Sequence, residues 1–284
     1  MEIKEYKSFY KAVGGNEGDK CNYSTRLDTY GCGCGHDCQY CYAKSLLEFR
    51  NQWNPQSPSV ADIEKIKRKI DKIPKDIKAI RLGGLTDCFQ PIEKVHRVTY
   101  ETIQLLNERR IHYLIITKSP LIIDDEYISI LDKDLAHIQF SLTFTDDDVY
   151  KRVGIEKAPM PSKRIEAIEK LEENGFDTCI RLSPYIPEFI DIDTLNSIKC
   201  DKVLVEFLRV NHWIIKWLGD KCDLSEYTNS FHGYNHLPFE LKKRYVDKIG
   251  TAHTVTVCDF EPMYLDYWKK EFNPNPDDCC NLRM

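Results

Sequence analysis

The chain has 284 residues, twelve cysteines and a formal net charge of −5 at pH 7, and this length is enough to bury a substantial core. The negative charge argues against a strongly basic nucleic-acid binder, although it leaves room for a local basic cleft. The charged first residues lack the apolar core of a secretory signal, and no apolar run is long enough to cross a bilayer, so we expect a cytoplasmic protein whose cysteines bind metal rather than form disulfides.

Strands and helices alternate along most of the chain. In chain order, the apolar spacing and the helix-stop residues predict a strand at 25–30, helices at 39–50 and 60–73, a strand at 77–82, a helix at 93–109, a strand at 111–117, a helix at 124–131, a strand at 137–143, a helix at 162–174, and strands at 177–183 and 202–207. Strands separated by helices predict parallel pairing, because a parallel crossover needs a helix-length connection.

This alternation predicts an α/β fold, a partial (β/α)6 TIM-like barrel that is open on one side. We assign the partial barrel to residues 1–210. Residues 211–284 are rich in aromatic side chains and show little alternation, so we predict an irregular C-terminal extension that closes the barrel as part of the same domain.

Three cysteines on one short loop are the strongest chemical signal. Cys34, Cys38 and Cys41 have the spacing Cys-x3-Cys-x2-Cys, and the glycines among them let the backbone wrap closely around a bulky inorganic group. Three thiolates hold three irons of a [4Fe–4S] cluster and leave the fourth iron open to S-adenosylmethionine (SAM). The alternative is a structural zinc site, which usually takes four protein ligands in paired short spacings. We therefore predict a [4Fe–4S] cluster on these thiols.

Six motifs occur in one order over about residues 25–190. The Cys loop is followed by Thr-Asp-x-x-Gln-Pro-x-Glu from Thr86, Ile-Thr-Lys-Ser from Ile116, Ser-Leu-Thr from Ser141, Ala-Pro-x-Pro-Ser-x-Arg ending at Arg164, and Pro-Tyr-Ile-Pro from Pro184. This series resembles the spore photoproduct lyase-like group of radical SAM enzymes. The resemblance implies a partial barrel, a SAM-chelated cluster that generates a 5′-deoxyadenosyl radical and, in the lyase itself, cleavage of a thymine dimer.

The resemblance also implies cofactor roles for residues that match the motifs. Tyr40 stands where radical SAM proteins place a ring against the adenine, and Gly83 and Gly84 stand where the backbone approaches the SAM amino group. By the same resemblance, Thr86 and Asp87 would contact the SAM amine or ribose, and Lys118 would pair with the SAM carboxylate. Ser141 would line the same site, and Arg181 would neutralise charge on the cofactor or on a substrate phosphate. The competing interpretation of each is a polar residue at the barrel rim that hydrogen-bonds a loop.

The chain departs from the lyase pattern at the hydrogen donor. The position of the donor cysteine corresponds to Gly84 here, so Cys88 is the candidate catalytic thiol, although a lone cysteine is more often a packing residue. The C-terminal third does not match the lesion-binding part of the lyase. We expect Arg209, His212 and Trp213, which follow the sixth strand, to bind an anionic, planar substrate, unless Trp213 packs in the core.

These signals together predict a radical SAM enzyme whose favoured substrate class is nucleic acid or a nucleotide. Modification of a peptide or a small metabolite is the alternative within the same chemistry, and a non-catalytic, zinc-stabilised binding module is the alternative of another class. We expect a flavodoxin- or ferredoxin-like electron donor, no membrane contact and a monomer. Cys258, Cys279 and Cys280, with Cys222, are candidates for a second cluster or a zinc ion, against the simpler interpretation as plain thiols.

Overall fold

A computed structural model describes residues 5–7, 9–12 and 21–284. Its strands are β1 (Tyr10–Ala12), β2 (Thr25–Leu27), β3 (Tyr30–Gly31), β4 (Ser59–Val60), β5 (Ile80–Leu82), β6 (Tyr113–Thr117), β7 (Ala136–Ser141), β8 (Asp177–Tyr185), β9 (Lys202–Phe207), β10 (Asn229–Phe231), β11 (Tyr234–His236) and β12 (Thr254–Val257). The main sheet has the order β1-β2-β5-β6-β7-β8-β9-β12. The pair β1–β2 is antiparallel, and every other neighbouring pair in this sheet is parallel.

Helices connect the parallel strands. They are α1 (Tyr42–Phe49), α2 (Ile63–Ile70), α3 (Glu93–His96), α4 (Val98–Glu108), α5 (Asp125–Ile128), α6 (Asp147–Val153), α7 (Pro161–Glu173), α8 (Ile192–Ser197), α9 (His212–Leu218), α10 (Phe239–Asp247) and α11 (Leu265–Glu271). Short 3-10 turns lie at Pro120–Ile123, Pro187–Phe189 and Pro262–Tyr264. The alternation and the parallel order confirm the predicted α/β partial barrel.

Local hydrogen bonds and backbone conformation explain where the observed boundaries of strands and helices differ from the predicted ones. The strand predicted at 25–30 ends at Leu27, because Tyr30–Gly31 pairs instead with Ser59–Val60. The helix predicted from residue 60 therefore begins later, after Asp62, whose carboxylate accepts hydrogen bonds from two backbone amides of the first turn. The helix predicted at 93–109 is divided at Arg97, where the backbone is left-handed with φ 55°.

The C-terminal residues continue the alternation beyond the point where the pattern fades. Helix α10 leads into β12, which pairs in parallel with β9 and adds a seventh parallel strand to the sheet. The apolar pattern of α10 is obscured because Lys242 is fully buried in it, in ion pairs with Asp259 and Glu261. β12 has four residues, which is too few for a clear periodicity.

The core of the described residues consists of a large apolar cluster formed by the sheet and the helices around it, and a smaller cluster that includes Leu114, Cys179 and Leu204 on the strands. Residues on the strands, such as Leu27, Leu82, Ile115, Ile180 and Val205, are fully buried. Burial of these side chains provides the main free energy that holds the barrel together. In the part of the chain that the structure describes, no helix has both the length and the apolar character needed to cross a membrane.

Candidate active site

A cavity of about 190 Å³ lies at the carboxyl ends of the parallel strands. This is the face of a parallel barrel where catalytic side chains collect. The cavity brings together the three loop cysteines Cys34, Cys38 and Cys41 and the cofactor residues proposed from the sequence, which are Tyr40, Gly83, Gly84, Thr86, Asp87, Lys118, Ser141 and Arg181. Residues far apart in the chain therefore meet in one site.

The Cys loop is a tight turn held against its surroundings. The Asp37 amide donates to the Cys34 carbonyl at 3.0 Å, and the Cys41 amide donates to the Cys38 carbonyl at 3.3 Å. A Cβ at Gly33 would overlap the backbone oxygen of Asn54, so this position requires glycine. The loop is therefore packed too closely for larger side chains, and its cysteines project toward the cavity.

Asp87 fastens the Cys loop to the end of β6. Its carboxylate accepts hydrogen bonds from the His36 ring at 3.1 Å, from the Thr117 hydroxyl at 2.8 Å and from the backbone amides of Phe89 at 2.8 Å and Lys118 at 2.7 Å. Burial acts to raise the pKa of Asp87, but these donors outweigh it and hold the pKa below its usual value. The carboxylate positions the loop and the strand end, and contact with SAM stays a prediction for this residue.

Burial disfavours the charged, thiolate form of the three loop cysteines. Burial, followed by the negative charge of Asp87, raises the pKa of Cys34 to about 12. Burial and the neighbouring Glu156 carboxylate raise the pKa of Cys38 well above its usual value, and burial raises that of Cys41. Because iron binds thiolates, loading of this site must displace these protons.

A buried ionic network centred on Glu156 supports the cavity wall. Its carboxylate accepts hydrogen bonds from the Tyr40 hydroxyl and from the Cys38 thiol, and it forms an ion pair with Arg164. The Lys118 ammonium lies 3.7 Å from the same carboxylate. The sequence patterns did not reveal Glu156, although it stands two residues before the Ala-Pro-x-Pro-Ser-x-Arg motif that ends at Arg164.

Lys118 is the cationic group that the network presents to the cavity. Its ammonium donates to the Thr143 hydroxyl at 3.2 Å and lies 5.2 Å from the centre of the Tyr40 ring. Burial lowers its pKa to about 8, because removing the ammonium from water disfavours its charged form. A carboxylate that enters the cavity beside it would stabilise the charged form.

The other cofactor residues predicted from the sequence also line the cavity. Thr86 donates its hydroxyl to the Tyr30 carbonyl at 2.7 Å, and Gly83 is left-handed with φ 76°, where a Cβ would collide with the Ile116 carbonyl. The Arg181 guanidinium donates to Gln139 at 2.6 Å and to Glu206 at 2.5 Å. Arg181 is thus already paired with protein groups. A contact of Arg181 with a cofactor or a substrate phosphate stays a prediction.

Positive charge exceeds negative charge around the cavity. Its lining contains four basic and two acidic side chains, which are Arg81, Lys118, Arg181 and Arg209 against Asp87 and Glu206. The Arg209 guanidinium lies over the rings of Tyr42, Tyr234 and Phe260, at 5.4, 5.7 and 4.7 Å from their centres. Burial opposes ionisation of Glu206, but Arg181 and Arg209 lower its pKa below the usual value.

Three predicted residues lie apart from this group. Among the described residues that line the cavity, Cys88 is absent, and it is buried behind Gly83 with 1% of its surface exposed. His212 and Trp213 begin helix α9 and are likewise missing from the described lining. His212 is exposed, and Trp213 is partly buried beside Trp217. The hydrogen-donor role of Cys88 and the substrate roles of His212 and Trp213 stay predictions.

The donor set fits an iron–sulfur cluster with SAM. Three thiols from one glycine-lined turn face the cavity, and the Lys118 ammonium lies in the same lining, where it could pair with a carboxylate. Residues 21–284 and the described residues before them contain no three His, Cys, Asp or Glu side chains arranged to hold a single metal ion. The residues that would hold the cluster are Cys34, Cys38 and Cys41, with Lys118 toward the SAM carboxylate.

Comparison with known sequences identifies a family. The family model of the radical SAM superfamily matches residues 29–199, which is more than half of the chain. The "Uncharacterized protein MJ0683" of Methanocaldococcus jannaschii is 29% identical over 167 residues, which cover 57% of this chain. The match spans 60% of that relative, so less than two thirds of its length is covered.

Comparison with solved structures identifies the same fold. Spore photoproduct lyase complexed with dinucleoside spore photoproduct is 14% identical, with a TM-score of 0.62 over 90% of this chain and 82% of that chain. Streptococcus suis SuiB bound to S-adenosylmethionine is 15% identical, with a TM-score of 0.52 over 87% of this chain and 53% of that chain. At these identities the likeness concerns the fold.

Proposed function

The chain belongs to the radical SAM superfamily, and on that premise we propose that it cleaves SAM reductively and abstracts hydrogen from a nucleic acid or nucleotide. The observation that carries this proposal is the meeting of Cys34, Cys38 and Cys41 with Lys118 in one cavity at the carboxyl ends of the strands. Cys34, Cys38 and Cys41 would hold a [4Fe–4S] cluster, which would supply the electron for the reductive cleavage of SAM.

The protein's own side chains bind and orient the cofactor in this proposal. Lys118 pairs with the SAM carboxylate, while Glu156 holds Lys118 and Tyr40 in place from behind. The backbone at Gly83 and Gly84 gives the SAM amino group close access, since neither residue has a side chain to obstruct it. Asp87 holds the Cys loop next to the end of β6 through its hydrogen bonds to His36 and to the Lys118 amide. The buried walls exclude water from a reactive centre.

The excess of basic residues supports an anionic substrate. Arg209 stands at the cavity with aromatic rings around it, which suits a phosphate next to a planar base. The structural likeness to a lyase that is complexed with a dinucleoside photoproduct is consistent with this class. We further propose a flavodoxin- or ferredoxin-like electron donor, a cytoplasmic location and a monomer.

We also propose that residues 211–284 belong to the same domain as residues 1–210. Strand β12 extends the main sheet beside β9, and Arg209 is enclosed by rings from both parts of the chain, Tyr42 and Phe260. The C-terminal part thereby packs against Arg209, which itself lines the cavity.

Binding of an oligonucleotide tests the substrate class. The reconstituted protein should bind a short UV-irradiated thymidine oligonucleotide with an affinity that falls steeply as salt is raised. Arg209→Ala should weaken this binding about 10- to 100-fold, since a charge-assisted contact contributes roughly 1.5–3 kcal/mol. Lys216→Ala, on the exposed side of α9, is the matched control and should bind normally. Equal binding by all three proteins, or none at all, would exclude a nucleic acid held at Arg209.

A further inference from the structure

A second set of cysteines meets in the folded chain. Cys21 precedes β2, Cys258 follows β12, and Cys279 and Cys280 lie near the C-terminus, yet all four line one cavity of about 470 Å³. Cys280 belongs to a small apolar cluster, and the side chains of Cys21, Cys258 and Cys279 pack against that cluster. Cys222, which the sequence grouped with the last three, is not in the described lining and instead contacts the backbone of Asp223.

The C-terminal segment is held so that its thiols face inward. Tyr23 donates to the Asp278 carboxylate at 2.7 Å, and that carboxylate also accepts from the Cys280 amide at 2.9 Å. Lys202 donates to the Asn281 carbonyl at 2.9 Å. These bonds fix residues 278–281 against the sheet, so the position of the thiols follows from several separate contacts.

The polar surroundings suit a negatively charged centre. Arg181 and Gln139 line this cavity, and Gln139 is fully buried. A thiolate-ligated group is anionic, and these donors would stabilise it.

We propose that Cys21, Cys258, Cys279 and Cys280 bind a second iron–sulfur cluster, separate from the one on Cys34, Cys38 and Cys41. Four thiols are the usual complement for such a cluster. Adjacent cysteines such as Cys279 and Cys280 are strained on one tetrahedral zinc ion, whereas in a cluster each thiolate binds its own iron. Binding releases the thiol protons to solvent, and a four-iron cluster in its 2+ state assembles from two ferrous ions, two ferric ions and four sulfide ions.

This second site lies directly beside the first. The two cavities share five lining residues, which are Arg81, Ile116, Arg181, Glu206 and Arg209. The layer between them contains the Arg181–Glu206 ion pair. A cluster in the second cavity would therefore sit within the same barrel as the proposed SAM site.

Metal analysis of cysteine variants tests this proposal without any activity measurement. The full chain is reconstituted anaerobically with a mixture of ferrous and ferric iron and with sulfide, and iron, sulfide and zinc are counted beside Mössbauer spectra. The wild type should hold about eight irons, and the triple variant Cys34→Ala/Cys38→Ala/Cys41→Ala should keep about four in a cluster. Cys279→Ser/Cys280→Ser should also keep about four, at the other site. Cys222→Ser is the matched control and should equal the wild type.

The possible outcomes distinguish a failure of the second-cluster proposal from a failure of the proposed function. Iron and sulfide in the triple variant support the second cluster even if SAM is never cleaved. A triple variant that contains no iron, or that contains stoichiometric zinc instead, overturns the proposal of a second cluster. That result says nothing against a cluster on Cys34, Cys38 and Cys41, which the 5′-deoxyadenosine assay tests separately. If Cys279→Ser/Cys280→Ser fails to fold by circular dichroism, Cys21→Ser and Cys258→Ser provide the same comparison singly.

Discussion

The Lys118 ammonium lies 3.7 Å from the Glu156 carboxylate, which is itself paired with Arg164 and buried under the Cys loop. Glu156 thus serves two cations and holds one of them toward the cavity. Burial lowers the pKa of Lys118 to about 8, so its charge depends on pH in a range that is accessible to experiment. Two predictions about SAM binding follow from this pair.

Removal of the Lys118 ammonium should weaken SAM binding and leave the cluster in place. A charge-assisted contact contributes roughly 1.5–3 kcal/mol, so Lys118→Met should raise the dissociation constant of SAM about 10- to 100-fold. Calorimetric titration of the reconstituted protein measures this, with iron content determined on the same sample. Lys163→Met, an exposed lysine paired with Glu166, is the control and should bind SAM normally. An unchanged dissociation constant in Lys118→Met would show that other groups hold the carboxylate.

The affinity for SAM should fall as the pH rises through about 8. Below the lowered pKa of Lys118 the side chain carries its proton and attracts the SAM carboxylate, whereas above it the neutral amine loses that attraction. Lys118→Arg remains charged throughout, so over pH 7 to about 9.5 its profile should lack the fall due to residue 118 and show only the titration of SAM's own amino group. Titration of both proteins across this range measures the difference. Parallel profiles would remove Lys118 as the titrating group.

The fully buried lysine of α10 should be essential for stability. Lys242 donates to Asp259 at 2.8 and 2.9 Å and to Glu261 at 2.6 Å. Lys242→Met leaves both carboxylates buried without their cation, which should lower the free energy of unfolding by about 3 kcal/mol or more. Urea unfolding followed by fluorescence and circular dichroism measures this loss. Lys243→Met, whose partner Glu240 is exposed, should change stability by less than about 1 kcal/mol.

If the C-terminal part belongs to the same domain, the two probes of that urea experiment should report one transition. The four tryptophans all lie between residues 53 and 268, with Trp268 packed in the core beside α10. Fluorescence and circular dichroism should then give coincident midpoints in wild type and in Lys242→Met. Two separated transitions would contradict a single domain.

Sequence patterns predicted the parts of the site that follow directly from strand order. The carboxyl ends of parallel strands meet at one edge, so Gly83, Lys118, Ser141 and Arg181 could be grouped from the order of the predicted strands. Glu156 was missed because it follows α6 on a loop, and an isolated glutamate has no periodicity that marks burial. Its pairing depends on tertiary packing alone.

The C-terminal third was harder to predict because its structure, like the pairing of Glu156, depends on tertiary packing. Strand β12 is short, and α10 contains a buried charge that contradicts the usual apolar pattern. Cys21 was not grouped with Cys279 and Cys280 because about 250 residues of chain separate them, and only the fold brings such positions together.

The hydrogen-donor role predicted for Cys88 can be tested by its products. Its thiol is buried outside the cavity lining in the described structure, and burial raises its pKa well above the usual value. As the predicted donor, Cys88 should be needed to quench the product radical, so Cys88→Ala should still cleave SAM but give aberrant products from dimer-containing DNA, and normal products would exclude this role. Unquenched or aberrant products from this variant, analysed by mass spectrometry, would assign the donor role to Cys88.

The most direct test of the central claim is the formation of 5′-deoxyadenosine by the anaerobically reconstituted protein with SAM and a strong reductant. We predict that wild type produces it, and that Cys34→Ala, Cys38→Ala and Cys41→Ala each abolish it, whereas Cys32→Ala, a neighbouring cysteine outside the spacing, retains it. Full 5′-deoxyadenosine formation in any of the three loop variants, or none in a wild type that contains zinc in place of iron, would contradict radical SAM chemistry at this loop.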